Sequence, residues 1–325
     1  MSLGVLLVAG MLLIVLSADY FTNGVEWLGY RLDLADGVVG SLLAALGTAL
    51  PETLVPFMAF LTGGRMTEAI GLGAILGAPL MLSTLGFSLI GIGVWLSGRR
   101  REGLDFHRES LDRDLRFFLG AFAVAIVAAF LPRPFHALAA IVLVAGYVVH
   151  AWRLIRVQTG SQGGPPREPL HLWPSRSPAV WAIGGQVAVA LFGLIVGAHF
   201  FVEALEEAAR WLRLSGFLVS VIVTPVATEL PELLNSVIWI HRRRDTLAVG
   251  NVSGALSFQA SLVPALGLAL TPWHLTGWET VTACLAWAAG FWTWTRSRDG
   301  QLHVNELVAA GGFYAVFIAL VLTFF

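Results

Sequence analysis

The feature that most constrains this chain is a series of long apolar stretches separated by short polar ones. Many of these stretches run for about 20 residues, which as a helix is enough to cross a hydrocarbon core of roughly 30 Å. Of the 325 residues, 57% are apolar and only 13% are charged, whereas a soluble domain carries about 25% charged residues. The sequence therefore predicts an all-α polytopic membrane protein and argues against a soluble enzyme.

Hydropathy predicts ten transmembrane helices. Their approximate cores are residues 3–21, 37–62, 67–97, 114–131, 135–156, 178–206, 216–240, 245–271, 277–295 and 304–325. The glycine- and proline-rich stretch 158–177 is the one clear linker, and it divides five helices from five. Because the run from Met1 to Leu16 lacks a basic amino-terminal region, we interpret it as the first spanning helix rather than as a cleaved signal.

The arginines indicate how these helices are oriented. All 20 basic side chains are arginine, and with an external N-terminus sixteen of them fall inside and four outside, namely Arg65, Arg133, Arg210 and Arg213. Positive charge concentrates on the cytoplasmic side. The count therefore predicts that both termini lie outside a cytoplasmic (inner) membrane and that the linker is cytoplasmic. We also expect the arginine-rich stretch 99–116 to be a cytoplasmic loop that contacts anionic headgroups.

An internal repeat relates the two halves of the chain. An offset of 180 residues aligns Ala18–Glu52 with Ala198–Glu232 without a gap, and an offset of 177 then aligns residues 73–77 with residues 250–254. Since five helices is an odd number, the second copy enters the membrane from the opposite side. Inverted repeats of this kind are typical of secondary transporters, whose substrate site lies near the membrane midplane. The predicted organisation is a first repeat over 1–157, a cytoplasmic linker over 158–177 and a second repeat over 178–325.

Each repeat carries a Leu-Pro-Glu motif in the middle of a predicted helix. The two motifs extend from Thr48 to Glu52 and from Thr228 to Glu232. A proline inside a helix removes one backbone hydrogen bond, and within a membrane this is tolerated where the freed carbonyls face protein or a wet cavity. Each motif therefore offers carbonyl oxygens, a threonine hydroxyl and a carboxylate at one depth. Such oxygen donors suit a hard cation such as Ca²⁺.

Other interpretations of these residues remain open at this point. A lone intramembrane glutamate can be a protonated or paired side chain in a packed bundle, although two at equivalent repeat positions favour one shared site near a transport pathway. The glycine pairs at 73 and 77 and at 250 and 254 permit close helix packing, which would bring their helices against the broken ones. Just beyond Gly254, Ser257 and Gln259 either direct oxygens at the site or make structural hydrogen bonds.

These residues together resemble the two alpha-repeats of the calcium/cation antiporter superfamily, which includes the sodium/calcium exchangers. The family pattern is Gly-Thr-Ser-Leu-Pro-Glu, followed after a short loop by Gly-Asn-Xaa-Xaa-Gly-Ser-Asn. The chain has Gly47-Thr48-Ala49-Leu50-Pro51-Glu52 and Ala227-Thr228-Glu229-Leu230-Pro231-Glu232, and its later segments begin at Gly73 and Gly250. The alpha-1 motif would span about 37–90 and the alpha-2 motif about 216–268.

The resemblance implies a sodium/calcium exchanger-like fold of ten helices that works by alternating access. It also implies a cation site formed by Glu52 and Glu232 with Thr48 and Thr228, and Ser236, four residues after Glu232, fits the family pattern as well.

The chain departs from the family pattern at several ligand positions. Alanine, glutamate or leucine replaces the usual serines and an asparagine at Ala49, Glu229, Ala78, Ala255 and Leu82. The family uses these hydroxyls and the amide to build sodium sites, so their loss weakens the expectation of sodium coupling. Gln259 stands where exchangers often carry an acidic residue, while Glu229 adds a carboxylate three residues before Glu232. Two carboxylates so close favour protonation of one of them, and the hypothesis is a divergent member coupled to protons.

The leading prediction is a secondary antiporter that exports Ca²⁺ or a similar divalent cation, with Na⁺ or H⁺ as counter-ion and no cofactor. One alternative is a transport-inactive or sensory membrane protein on the same scaffold, and another is a metabolite exporter from a different inverted-repeat family. We find no catalytic constellation or nucleic-acid-binding module in the sequence. The expected partners are inorganic cations and the lipid bilayer, and we expect no enzymatic activity.

Overall fold

The structure is a computed structural model that describes residues 3–31, 44–99, 104, 106–158, 168–174, 177–298, 300 and 302–324. Within these ranges, the side chains at 44–48, 155–158, 230–232 and 235 lie outside the description. All statements below concern the residues and side chains that are described.

The described chain is helical along nearly its whole length. Its helices are α1 (Leu3–Arg31), α2 (Ala44–Thr62), α3 (Arg65–Met81), a π-helical segment (Leu82–Gly86), α4 (Phe87–Leu96), α5 (Arg108–Ala128), α6 (Pro134–Gln158), α7 (Val180–Leu212), α8 (Gly216–His241), α9 (Asp245–Gln259), α10 (Leu262–Leu270), α11 (Trp278–Ser297) and α12 (Val304–Phe324). The π-helical segment joins α3 to α4, and a two-residue turn joins α9 to α10. Counted in this way, the described helices form ten successive segments, as the sequence predicts.

Six of these segments are long and apolar enough to cross a membrane on length and composition alone. They are Leu3–Arg31, Arg65–Leu96, Pro134–Leu154, Val180–Leu212, Asp245–Leu270 and Val304–Phe324. Shorter apolar helices cover Ala49–Thr62 and Gly216–Glu229. The first of these contains Pro51 and Glu52, and the second ends at Glu229, just before the Pro231 and Glu232 of the second motif.

Several helices extend beyond their predicted cores. Helix α1 continues to Arg31 instead of ending near residue 21, α7 continues to Leu212, and α5 begins at Arg108. The part of 99–116 from Arg108 onwards is therefore helix, and the expectation of a loop there is wrong. Hydropathy marks only the apolar part of a helix, so polar turns that extend the helix are not detected. Residues 37–43 of the predicted second helix lie outside the described residues.

The chain divides into two compact units. The first comprises Met1–Glu68 and Val148–Gly216. Within it α1 packs along α7, and α2 contacts both helices. The backbones of α1 and α7 approach closely because glycines lie at the crossing. A Cβ atom on Gly10 would lie 3.0 Å from the backbone nitrogen of Phe201, and one on Gly197 would lie 3.1 Å from that of Ile14. Small residues at such crossings let membrane helices pack by van der Waals contact.

The second unit comprises Ala69–Tyr147 and Phe217–Phe325. Within it α5 packs against α9 and α11, and α12 packs against α4 and α11. Both units draw helices from the two halves of the sequence, and the repeat boundaries at 157 and 178 stay a prediction. Helix α3 contacts α8 through the first predicted glycine pair. A Cβ on Gly73 would lie 2.6 Å from the carbonyl oxygen of Phe217, and one on Gly77 would lie 2.6 Å from that of Val221. The predicted role of this pair is confirmed.

We expect Gly77→Ala to destabilise the second unit by about 1–3 kcal/mol, because the added methyl group overpacks a backbone contact. The repeat-equivalent change Gly254→Ala is the matched control. At that position an added Cβ meets no described atom within 4 Å, and alanine is the better helix former by about 1 kcal/mol. The free energy of unfolding, measured on the two purified variants in detergent, should therefore fall for Gly77→Ala and rise for Gly254→Ala. Equal loss of stability would contradict the packing role of Gly77.

The helices that follow the two motif helices lose their regular pattern at equivalent positions. The π-helical segment begins at Leu82, and the turn between α9 and α10 follows Gln259, which is the equivalent residue at the offset of 177. A hydroxyl bonds to the local backbone in each case: Thr84 Oγ1 donates to Leu80 O at 2.5 Å, and Ser261 Oγ donates to Ser257 O at 2.6 Å. Irregular turns within long helices frequently occur at functional sites.

Candidate cation-binding site

The motif helices α2 and α8 contain their prolines within continuous helix. Pro51 and Pro56 lie inside α2, and Pro231 lies inside α8. Proline has no N–H, so Pro51 and Pro231 cannot donate to the carbonyls four residues earlier, at Gly47 and Ala227. These two carbonyls are repeat equivalents, which supports the prediction that each motif makes a backbone oxygen available.

Glu229 and Gln259 form a buried pair in the second unit. Both side chains are fully buried, and Gln259 Nε2 donates a hydrogen bond of 3.0 Å to Glu229 Oε1. This bond connects the middle of α8 to the last residue of α9. It also fixes the orientation of the amide, because the nitrogen must face the accepting carboxylate. Gln259 Oε1 is buried and makes no hydrogen bond within the described part of the chain.

The pair provides oxygen atoms in a place that water does not reach. An ionised carboxylate is expensive to bury unless opposite charge or hydrogen bonds compensate it, so Glu229 is suited to hold either a proton or a metal cation. The buried amide oxygen of Gln259 is a neutral donor of the kind that hard cations accept. The structure thus brings together the two residues at which the sequence departs most from the family pattern.

Glu52 belongs to the first unit. It lies in α2 between Pro51 and Pro56, and its side chain is only 7% exposed. Its neighbour Thr53 donates to Ala49 O at 2.9 Å, a local bond within the helix. Thr48 and Glu232 lie in α2 and α8 respectively, and their side chains are outside the described set.

The other predicted ligands make hydrogen bonds within and between helices. Thr228 Oγ1 donates to Thr224 O at 3.2 Å, and Ser236 Oγ donates to Ala248 O at 3.3 Å. Ser257 Oγ donates to Ser253 O at 3.0 Å and lies 3.4 Å from the carbonyl oxygen of Asp114 in α5. All three hydroxyls are buried. A hydroxyl that donates to a carbonyl keeps its lone pairs, so their roles as ligands stay predictions.

Sequence reasoning missed a buried ion pair in the second unit. Arg99 and Asp245 are 7% and 3% exposed, and the guanidinium forms a two-pronged contact with the carboxylate. Arg99 was expected to face headgroups with its neighbours, and that expectation is wrong for this residue. It is the first of three consecutive arginines, so nothing in the local sequence distinguishes it from the two that follow.

The class of protein follows from the ten helices and from two proline-containing helices that carry buried acids: it is an integral membrane protein built like an ion transporter. A model of the sodium/calcium exchanger protein family matches residues 2–156 and 183–323. Since these ranges cover most of the sequence, the chain belongs to this family. The predicted resemblance to the calcium/cation antiporter superfamily is confirmed.

Two relatives illustrate the relationship in sequence. CaxA of Alkalimonas amylolytica, which is named as an antiporter, is 25% identical over 273 residues, covering 82% of this chain and 81% of the relative. YrbG, an inner membrane protein of Escherichia coli (strain K12), is 23% identical over 273 residues, covering 82% and 79%.

Two solved structures share the fold. The H⁺/Ca²⁺ exchanger CAX aligns with a TM-score of 0.76 at 16% identity, over 99% of this chain and 82% of that one. The sodium-calcium exchanger NCX_Mj aligns with a TM-score of 0.63 at 20% identity, over 98% of each chain. The predicted exchanger-like fold is confirmed. At these identities the likeness concerns the fold alone.

Proposed function

We propose that this protein is a secondary antiporter that exchanges Ca²⁺ or a similar divalent cation for protons by alternating access. The single observation that carries this proposal is the fully buried pair of Glu229 and Gln259. A buried carboxylate is compensated by hydrogen bonds, by a proton or by a bound cation, and a carboxylate can bind either of the last two. If a proton and a cation compete for Glu229, binding of one requires release of the other, and that competition is the basis of exchange.

The ligand roles predicted for the residues of the two motifs are part of this proposal. Glu52 and Glu232 would provide the main charge, with oxygen atoms from Thr48, Thr228 and the amide of Gln259. Proton coupling is preferred over sodium coupling because several expected sodium ligands are replaced by buried apolar side chains. Ala49, Ala78 and Leu82 are 6%, 2% and 0% exposed, and none of them offers an oxygen.

The orientation is part of the same proposal. Sixteen of twenty arginines fall on one side of a ten-helix arrangement, so we place the linker in the cytoplasm and both termini outside the inner membrane. The direction of net transport would then be export of the divalent cation, driven by proton entry.

The test is Ca²⁺ flux in proteoliposomes that contain the purified protein. We expect a pH gradient to drive flux. The apparent affinity for Ca²⁺ should also fall on the order of tenfold for each unit by which the pH is lowered, over the range in which one proton competes with the cation. Glu229→Gln should flatten this pH dependence because glutamine cannot bind the proton. Glu109→Gln, an exposed carboxylate in the first turn of α5, should leave it unchanged.

Each other outcome has a clear meaning. An unchanged pH dependence in Glu229→Gln would reject proton coupling through this residue. Flux driven by a sodium gradient instead would identify sodium as the counter-ion. Calcium binding without flux in the unaltered protein would favour the alternative of a sensory or transport-inactive protein on the same scaffold.

A further inference from the structure

The end of the linker packs against the first unit. We call residues 168–174 with residues 177–178 the linker strap. Its central side chain, Leu170, is fully buried and packs with Trp27 of α1 and with Ala182 and Ile183 of α7. The Trp27 indole Nε1 donates to Glu168 O at 3.1 Å. The strap therefore contacts both helices with buried side chains and covers the place where α1 and α7 meet.

Two buried amides hold the strap in register. Gln186 of α7 donates through Nε2 to Tyr20 O at 2.8 Å and to Asn23 Oδ1 at 2.9 Å, and its Oε1 accepts the backbone N–H of Leu172 at 2.8 Å. Asn23 of α1 accepts the backbone N–H of His171 at 3.2 Å and donates to Pro169 O at 3.2 Å. A buried polar network of this kind specifies one arrangement, because any displacement leaves polar groups unsatisfied.

His171 is the titratable centre of the strap. Its Nδ1 lies 3.4 Å from Asp19 Oδ2, and its Nε2 lies 3.2 Å from Glu168 Oε2. Tyr20 contacts the ring edge-on at 5.1 Å between centroids, and Glu26, further along α1, is within electrostatic reach. From α7 the strap meets the neutral Gln186 and apolar side chains. Among the described residues, the charged groups in reach of this imidazole are carboxylates, whereas Arg31 of α1 contacts the strap further along, at Ser177 and Pro178.

We propose that protonation of His171 strengthens the attachment of the strap to α1 and α7. A neutral imidazole carries one N–H and donates to only one carboxylate, whereas the imidazolium donates to both. Protonation therefore joins Glu168 of the strap to Asp19 of α1 through one ring. The strap is tightest when the imidazole is protonated and loosens when the imidazole loses that proton. In the proposed orientation it would respond to cytoplasmic pH, separately from any proton bound at Glu229.

Amide hydrogen exchange of the detergent-solubilised full chain tests this directly. The backbone amides of His171 and Leu172 donate to buried side-chain oxygens, so their protection measures closure of the strap. After correction for the intrinsic pH dependence of exchange, we expect protection to fall about threefold to tenfold between pH 5.5 and pH 8, the effect of two partly exposed ion pairs. His171→Gln should abolish this change, whereas the exposed His303→Gln should retain it.

A second variant checks that the signal arises from the strap. Gln186→Leu removes the acceptor of the Leu172 amide and should lower its protection at every pH. The proposal is overturned by a flat protection profile in the unaltered chain, by a pH dependence that survives His171→Gln, or by full protection in Gln186→Leu. The measurement needs no transport, so its result is independent of the proposed cation exchange.

Discussion

Glu52→Gln should abolish cation transport in proteoliposomes while the protein remains folded. The side chain is 7% exposed within α2, between two prolines. Glutamine has nearly the same shape but carries no charge. Affinity for hard cations depends strongly on the number of ligand charges, and we expect the apparent affinity for Ca²⁺ to fall by about 100-fold or more, since even changes beyond the direct ligands of a metal cost 10–100-fold.

Thermal unfolding separates loss of binding from loss of fold. A ligand that binds only the folded state stabilises it by about 2.7 kcal/mol at 100 times its Kd, so Ca²⁺ should raise the unfolding temperature of the unaltered protein. In Glu52→Gln the same rise should require about 100 times more Ca²⁺. Without Ca²⁺ the unfolding temperature of the variant gives the baseline from which this rise is measured.

Glu207→Gln is the matched control for this experiment. Glu207 lies in the same unit on α7 and is exposed, so the same chemical change there should alter neither flux nor the effect of Ca²⁺ on unfolding. If Glu52→Gln kept the Ca²⁺ dependence of the unaltered protein, Glu52 would not be a ligand. The ligand role proposed for the first motif would then have to be abandoned.

The sequence is most informative about the fold where the physical constraint is strongest. A helix that crosses a membrane needs about 20 apolar residues. In a chain with an internal repeat, these apolar stretches recur in the same order in both halves. The number of helices and their order along the chain are therefore predictable. Helix ends such as Arg31 of α1 and Arg108 of α5 are not, because polar turns outside the apolar core have no such requirement.

The same reasoning explains which site residues were predictable. Glu229 and Gln259 were each expected near the site, because both stand at positions where the family has other ligands, but their pairing with each other was not predicted. The two are 30 residues apart, and their contact depends on how α8 packs against α9. The hydroxyl of Ser257 shows the converse: its position in the motif suggests a ligand, while its hydrogen bonds connect α9 to α5.

The linker was predicted only as a polar connection. Glycines and prolines in 158–177 indicate a break between helices but do not reveal that Leu170 is buried. The segment contains two leucines, Leu170 and Leu172, and nothing in the sequence shows that the first is buried and the second exposed. The hydrogen bonds of Asn23 and Gln186 to the strap were equally unpredictable, since an isolated amide in an apolar helix does not identify its partner.

Arg99→Met should destabilise the second unit by about 3–5 kcal/mol, the usual cost of removing one partner of a buried ion pair. The guanidinium contacts both a backbone carbonyl of α8 and the carboxylate at the start of α9. Its Nη1 donates to Ile240 O at 3.2 Å and to Asp245 Oδ1 at 3.0 Å, and its Nη2 contacts the second carboxylate oxygen. Ile240 lies in the last turn of α8, where carbonyls lack helical partners, and Asp245 begins α9, where a negative charge is favoured by the helix dipole.

One arginine after α4 thus ties the end of α8 to the start of α9, the helices that carry Glu229 and Gln259. Loss of the guanidinium removes the opposite charge and the two contacts that Arg99 gives to the buried carboxylate of Asp245. Asp245→Asn should cost a comparable amount, because Arg99 then remains charged in a buried place. The double variant Arg99→Met with Asp245→Asn should be less destabilised than the sum of the single changes, since neither charge is left behind.

Arg116 and Asp112 provide the matched control pair. They form an ion pair of 2.9 Å four residues apart on α5, with side chains 63% and 27% exposed, and removing such a pair costs only about 0.3–0.5 kcal/mol. Denaturant unfolding in detergent of both sets of variants gives the two coupling energies. A coupling for Arg99 and Asp245 as small as that for the exposed pair would mean that water compensates the buried charges. The end of α8 and the start of α9 would then be held together by their other contacts, such as the hydrogen bond from Ser236 to Ala248.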